Sequence, residues 1–143
     1  IGKLPAHRRS VGLMYQDSLL FPHMTVGDNL AFGLAESVRG SARQTAIYTA
    51  LSAAGLDGFG QRDPASLSGG QSARIGLMRA LLAEPELLLM DEAFSSLDPE
   101  LRRQFGQFVA RQIKTSGIPA LLVSHNLADL EFAVEPILHF PSG

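Results

Sequence analysis

The apolar run Leu87-Leu88-Leu89-Met90, bounded by Pro85 before it and the acids Asp91-Glu92 after it, most restricts the folds open to this chain. A strand with almost no polar alternation is expected to be buried on both faces, which is the condition of a parallel strand covered by helices. Ile118 to Ser124 has the same character and begins at a proline, where a missing N–H is tolerated. Val11 to Gln16 reads as a further strand, and Ile137 to Phe140 as a fourth.

Helical patterns fill the intervals, so the expected class is α/β with mostly parallel strands. Ser68 is a good N-cap for a helix running to about Ala83, and Ile75, Met78 and Leu82 form its apolar stripe until Pro85 stops it. Asp98-Pro99 is a cap followed by proline at the first helical position. Leu101, Phe105, Phe108, Val109 and Ile113 then recur on one face, and Gly117 ends that helix. Two earlier helical patterns, Thr25 to about Glu36 and Ser41 to about Ala54, form a helical insert spanning roughly residues 25–66, with Gly58 to Leu67 as a loop. The whole chain, 1–143, reads as one incomplete domain.

Composition narrows the function classes. The chain has 143 residues, 45% hydrophobic and 18% charged, which suits one domain with its own core. With 12 Lys+Arg against 14 Asp+Glu the formal net charge is −2, so no bulk field draws a polyanion and no nucleic-acid partner is expected. The absence of cysteine excludes a disulfide scaffold, a zinc finger and an iron–sulfur site. No apolar run approaches the roughly 18 residues of a membrane-spanning helix. The start Ile1-Gly2-Lys3-Leu4-Pro5, without Met or a signal core, leads us to expect a segment of a longer protein, and the end at Gly143 leaves no regulatory domain in view.

Four short motifs carry chemistry. Leu67-Ser68-Gly69-Gly70-Gln71 opens a helix, where free N–H groups and the dipole favour an anion and glycines admit it to the backbone. Alone, it serves equally as a flexible turn with a good cap. Asp91-Glu92 places two acids at the carboxyl end of a strand, the edge at which open α/β folds bind ligands. Asp91 suits Mg²⁺ held mostly through waters, and Glu92 suits a base or water-orienting group; alone, the pair is an ordinary solvated strand end. His125, after Val123-Ser124, can donate a hydrogen bond to a phosphate oxygen, with Asn126 placed to cap the next helix. Gln16, at another strand end, can touch a metal-bound water.

In this order and at these spacings the motifs resemble the ATPase domain of ATP-binding cassette (ABC) transporters, over nearly the whole chain. Tyr15-Gln16 corresponds to the Q-loop, Leu67 to Gln71 to the signature, and Leu87 to Glu92 to the Walker B strand with its catalytic Glu. Ser96-Leu97-Asp98 corresponds to the D-loop and His125 to the H-loop. Leu20 to Leu30 is similar to bacterial importer-type ATPases.

The resemblance implies that Gln16 senses Mg²⁺ and the attacking water, Asp91 binds Mg²⁺ through water, Glu92 polarises the attacking water and His125 contacts the γ-phosphate. It implies that Ser68 and Gly70, within the signature, act in trans on ATP held by a second ATPase subunit in a head-to-tail dimer, with Asp98 communicating across that interface. It further implies permease partners and a cytoplasmic, peripheral location on the inner face of the cell membrane.

The family's P-loop, Gly-x-x-x-x-Gly-Lys-Ser/Thr, is missing from this sequence: Leu4 follows Gly2-Lys3 where Ser/Thr is needed. The chain therefore resembles a partial P-loop NTPase-like domain, the C-terminal larger part without its nucleotide cradle. Ala93 and Asn126 stand where the family usually has Pro and Asp. Two other readings stay open: a non-catalytic fragment that binds permease or partner ATPase, and a DNA-repair ABC ATPase. The second usually carries a long coiled coil or zinc module between Q-loop and signature, where this chain has neither. Strand edges left unpaired by a truncated sheet lead us to expect self-association.

Overall fold

A computed structural model describes residues 10–15 and 20–132. Gln16 and the expected fourth strand, Ile137 to Phe140, lie outside the described residues. Strands β1 (Val11–Met14), β2 (Leu87–Asp91) and β3 (Ala120–Val123) form a parallel sheet in the order β1-β2-β3. Its register aligns Met14 with Met90 and Leu122, and Asp91 with Val123. All three strands therefore run toward one edge, where Asp91 and Glu92 leave β2 and Ser124 and His125 leave β3.

The helices are α1 (Val26–Phe32), α2 (Gly40–Ala53), α3 (Gly69–Leu82) and α4 (Pro99–Ser116). Three of them, α1, α3 and α4, begin at a side-chain cap, whereas α2 follows Arg39 without one. Thr25 and Asp28 form a reciprocal capping box at α1, Ser68 and Gln71 form another at α3, and the Asp98 carboxylate accepts the Glu100 and Leu101 N–H groups at α4. Gly117, at φ +67, closes α4 in the left-handed conformation that glycine adopts without a Cβ penalty.

Helix α1 ends at Phe32, short of the expected Glu36. The next residue, Gly33, caps the helix at a point where any side chain would strike the backbone carbonyl of Arg79, so α1 ends in close backbone contact with α3. Within the expected loop, Asp63 caps a short 3₁₀ turn, Pro64–Ser66. The segment after Asn126 is a 3₁₀ helix, Leu127–Phe132, with the Asn126 side chain accepting the Ala128 N–H.

Helices and sheet enclose one core, centred on Phe94, Phe105, Phe108, Ile75, Leu77 and Leu88. Phe94 lies tilted against Phe105 at 5.3 Å and stacked with Phe132 at 6.2 Å between ring centroids. Burial corrects the expectation for β3, which is not covered on both faces: Leu121 and Val123 are 49% and 46% exposed, and only Leu122 is half-buried. On the face that carries Met14, Leu88 and Met90 the sheet is packed. On the other, Leu13, Leu121 and Val123 meet solvent among the described residues.

Candidate functional site

The carboxyl ends of β2 and β3 make the site. Asp91 is the last residue of β2, exposed, and among the described residues its carboxylate makes no hydrogen bond or ion pair. An exposed, unpaired carboxylate fits a cation that keeps most of its water, as Mg²⁺ does. No group of three His, Cys, Asp or Glu that could enclose a metal occurs among the described residues, so any cation held there would keep an open shell.

Glu92 departs from strand geometry. Its φ is +52, a left-handed conformation rare for a side-chain-bearing residue and costing about 1–3 kcal/mol. The turn is held from both sides: the Glu92 N–H donates to the Val123 carbonyl at 2.9 Å, and the Ser95 N–H and hydroxyl both donate to the Glu92 carbonyl, at 3.0 and 2.8 Å. The turn directs the carboxylate to His125. The backbone N–H of His125 donates to Glu92 Oε1 at 3.0 Å, and the ring Nδ1 lies 2.8 Å from Oε2. With Nδ1–H given to the carboxylate, Nε2 is an acceptor in neutral imidazole and a donor in imidazolium. The ring is 79% exposed, whereas the Glu92 side chain is 28% exposed.

The signature turn is built differently. Ser68 Oγ accepts the Gln71 N–H at 3.2 Å, and Gln71 Oε1 accepts the Ser68 N–H at 2.9 Å. That box leaves the Gly69 and Gly70 N–H groups, in the first turn of a 14-residue helix, without intrahelical acceptors. Gly69 is exposed, but Gly70 is buried, and a Cβ there would come within 3.3 Å of Leu101 in α4. Gly70 thus serves close helix packing, while Gly69 leaves the backbone open. Leu67 is half-buried against the core. Asp98 is engaged as the α4 cap, and the residue before it, Leu97, packs beside Gly69.

The structure thus joins Glu92 to His125, places Asp91 on the same sheet edge, and sets the signature turn beside Leu97 and Leu101. Three participating residues escape sequence reasoning. Ser124 donates to Asp129 Oδ2 at 2.6 Å, and Asp129 also faces Arg102. Only the tight Ser124-His125 neighbourhood was a signal, and it gave no partner.

A family model described as ABC transporter matches residues 2–95. The chain belongs to the ABC transporter family. It is 46% identical over 127 residues to an uncharacterized ABC transporter ATP-binding protein, YnjD, of Escherichia coli (strain K12), covering 89% of this chain and 58% of that protein. It is 37% identical to the thiamine import ATP-binding protein ThiQ of Jannaschia sp. (strain CCS1), covering 100% of this chain and 63% of the relative. An Fe(3+) ions import ATP-binding protein, FbpC, of Pseudomonas fluorescens (strain Pf0-1) is 45% identical, with 91% of this chain and 37% of that one covered. Among solved structures, a dimeric ATP-binding cassette in a post-hydrolysis state with ADP and Pi superposes with TM-score 0.71 at 26% identity, covering 91% of this chain and 61% of that one. The chain therefore spans less than two thirds of the length of these relatives.

Proposed function

We propose that this chain is the larger, C-terminal part of the ATP-hydrolysing subunit of an ABC importer, working through ATP and Mg²⁺ on a membrane permease. One observation carries the reading: a half-buried carboxylate, Glu92, held by His125 at the carboxyl edge of a parallel sheet and directly preceded by an exposed acid, Asp91, that is unpaired among the described residues. Relatives named as thiamine and Fe(3+) import ATP-binding proteins support the import direction. No described helix is long and apolar enough to cross a membrane, which accords with a subunit that sits peripherally on the inner face and leaves the crossing to its permease.

Bound MgATP supplies the γ-phosphoryl group and the metal charge that offsets its developing negative charge. The chain's residues do the rest. Asp91 holds the hydrated cation in place, and Glu92 orients and polarises a water for in-line attack. His125 fixes the Glu92 carboxylate through its own N–H and ring, and presents Nε2 to a phosphate oxygen. Gln16 is assigned to the metal and the water by resemblance. The exposed Gly69 N–H at the head of α3, with Ser68 and Gln71 holding the turn and Gly70 seating it against α4, caps the phosphate of ATP on a second subunit, and Asp98 sets the adjoining loop.

The phosphate cradle itself is absent from the sequence, which favours a second, compatible reading: the isolated chain binds permease or partner ATPase without turning ATP over. The deciding experiment compares MgATP binding by this chain with binding by a version extended upstream through a P-loop. Binding only by the longer protein is expected; tight binding by the 143-residue chain alone would overturn the account of where the phosphates sit.

A further inference from the structure

The segment that carries His125 is tied to α4 through a buried acid. Asp129 lies in the 3₁₀ helix Leu127–Phe132 with its side chain 2% exposed, an expensive place for a carboxylate unless partners hold it. Its Oδ2 accepts the Ser124 hydroxyl at 2.6 Å. The same hydroxyl oxygen accepts the Asn126 N–H at 3.0 Å, and the Asp129 N–H donates to the Asn126 carbonyl at 3.0 Å. Ser124 and Asp129 therefore clasp the backbone on both sides of His125.

The other carboxylate oxygen faces α4. Asp129 Oδ1 lies 3.7 Å from Arg102 Nε, and these two are the buried side-chain N or O atoms left without a hydrogen bond among the described residues. Arg102 is one turn into α4, its N–H bonded to the Asp98 carbonyl at 2.8 Å, and its Nη2 makes a long contact of 3.5 Å with the Leu97 carbonyl. One guanidinium thus spans Leu97, which packs beside the signature glycine Gly69, and the acid that clasps the His125 turn. One turn further along α4, Gly106 receives the Phe132 ring so closely that a Cβ would overlap it, which anchors the far end of the 3₁₀ helix to the same helix.

We propose that Arg102, Asp129 and Ser124 are positioning residues for His125, coupling the start of α4 and the loop before it to the group that holds Glu92. The assignment rests on the proposed ATPase reading for its consequence, and on the contacts alone for its geometry. The Arg102–Asp129 separation exceeds the roughly 2.9 Å of a hydrogen bond, so the joint is an ion pair between two buried atoms.

The test uses the full-length protein that carries this chain, with Ser124→Ala, Ser124→Thr and Arg102→Ala, and reads steady-state kinetics together with amide hydrogen exchange. Ser124→Ala is expected to lower kcat by about ten- to a hundredfold with the KM for MgATP changed by no more than about threefold, because a displaced His125 misaligns Glu92 and gives up one phosphate contact while the P-loop that supplies most nucleotide binding is untouched. Exchange at residues 125–126 rises about tenfold while α3 stays protected, since both hydrogen bonds of the Ser124 hydroxyl, to Asp129 and from the Asn126 N–H, are lost locally. Ser124→Thr, which keeps the hydroxyl, restores both values. Arg102→Ala lowers kcat in the same way.

Unchanged exchange at 125–126 in Ser124→Ala overturns the clasp whether or not the protein hydrolyses ATP. Local loosening with an unaltered kcat, or a wild-type kcat in Arg102→Ala, overturns the positioning role. Failure of the ATPase reading looks different: wild-type protein then shows no turnover, and the exchange pattern still reports the clasp.

Discussion

Among the described residues, Glu84 and Glu92 are the two non-glycine residues at positive φ, +48 and +52, and they carry that strain to opposite ends. Glu84 is an exposed turn residue after α3. Glu84→Gly should raise stability by about 0.5–1 kcal/mol in urea unfolding, because relief of the left-handed strain exceeds the added freedom of the unfolded chain. At Glu92 the strain aims a carboxylate at His125, so the same glycine change would remove the site. The informative change there is Glu92→Gln in the P-loop-bearing protein, which keeps the shape and loses the base. Turnover should fall about 10²- to 10⁴-fold while MgATP binding persists, and near-normal turnover would remove Glu92 from its assigned role. The two acids were legible in sequence as a strand end. The backbone twist that separates their directions was not, because it is imposed by Val123 and Ser95 from outside the motif. Asp129 was equally hidden: nothing in Leu127-Ala128-Asp129-Leu130-Glu131 distinguishes a buried acid from a solvated one until α4 is laid against it.

Elements whose ends are written in local chemistry came through intact. Asp98-Pro99 and Gly117 bracket α4 as their caps require, and Ser68 opens α3. Ser68→Ala should cost about 1 kcal/mol of stability, measured by urea unfolding, through loss of the Gln71 N–H acceptor. Where tertiary contact decides, the sequence was silent, as at the early end of α1 against the Arg79 carbonyl. Gly106 shows the same rule and gives a sign test. In an open helix Gly→Ala stabilises by about 1 kcal/mol, but here the added methyl overlaps a Phe132 ring already stacked on Phe94. Gly106→Ala should therefore destabilise, by about 1–3 kcal/mol in the same assay, and a rise in stability would show that the ring moves aside freely.

For the molecule as a whole, the unbroken apolar character of β3 is the most instructive mismatch between expectation and structure. Leu121 and Val123 have the composition of a strand covered on both faces, yet together with Leu13 they lie on a face that no described element covers. The register places Leu13 and Leu121 side by side across the sheet with Leu89 between, and Val123 follows two residues along β3 on the same face, so the exposure forms one strip instead of scattered residues. An apolar strip flanked by strand edges invites pairing with another copy. The isolated chain should therefore self-associate, with its apparent mass in light scattering rising over about two decades of concentration. Leu13→Lys combined with Leu121→Lys should suppress that rise, since both charges fall on the open face and neither enters the core around Phe94. A chain that stays monomeric throughout would sink the idea, and so would a double variant that associates as strongly as the parent. If the upstream-extended protein is monomeric where the short chain is not, the strip is covered by sequence from outside these 143 residues, and the apolar character of β3 belongs to that larger core.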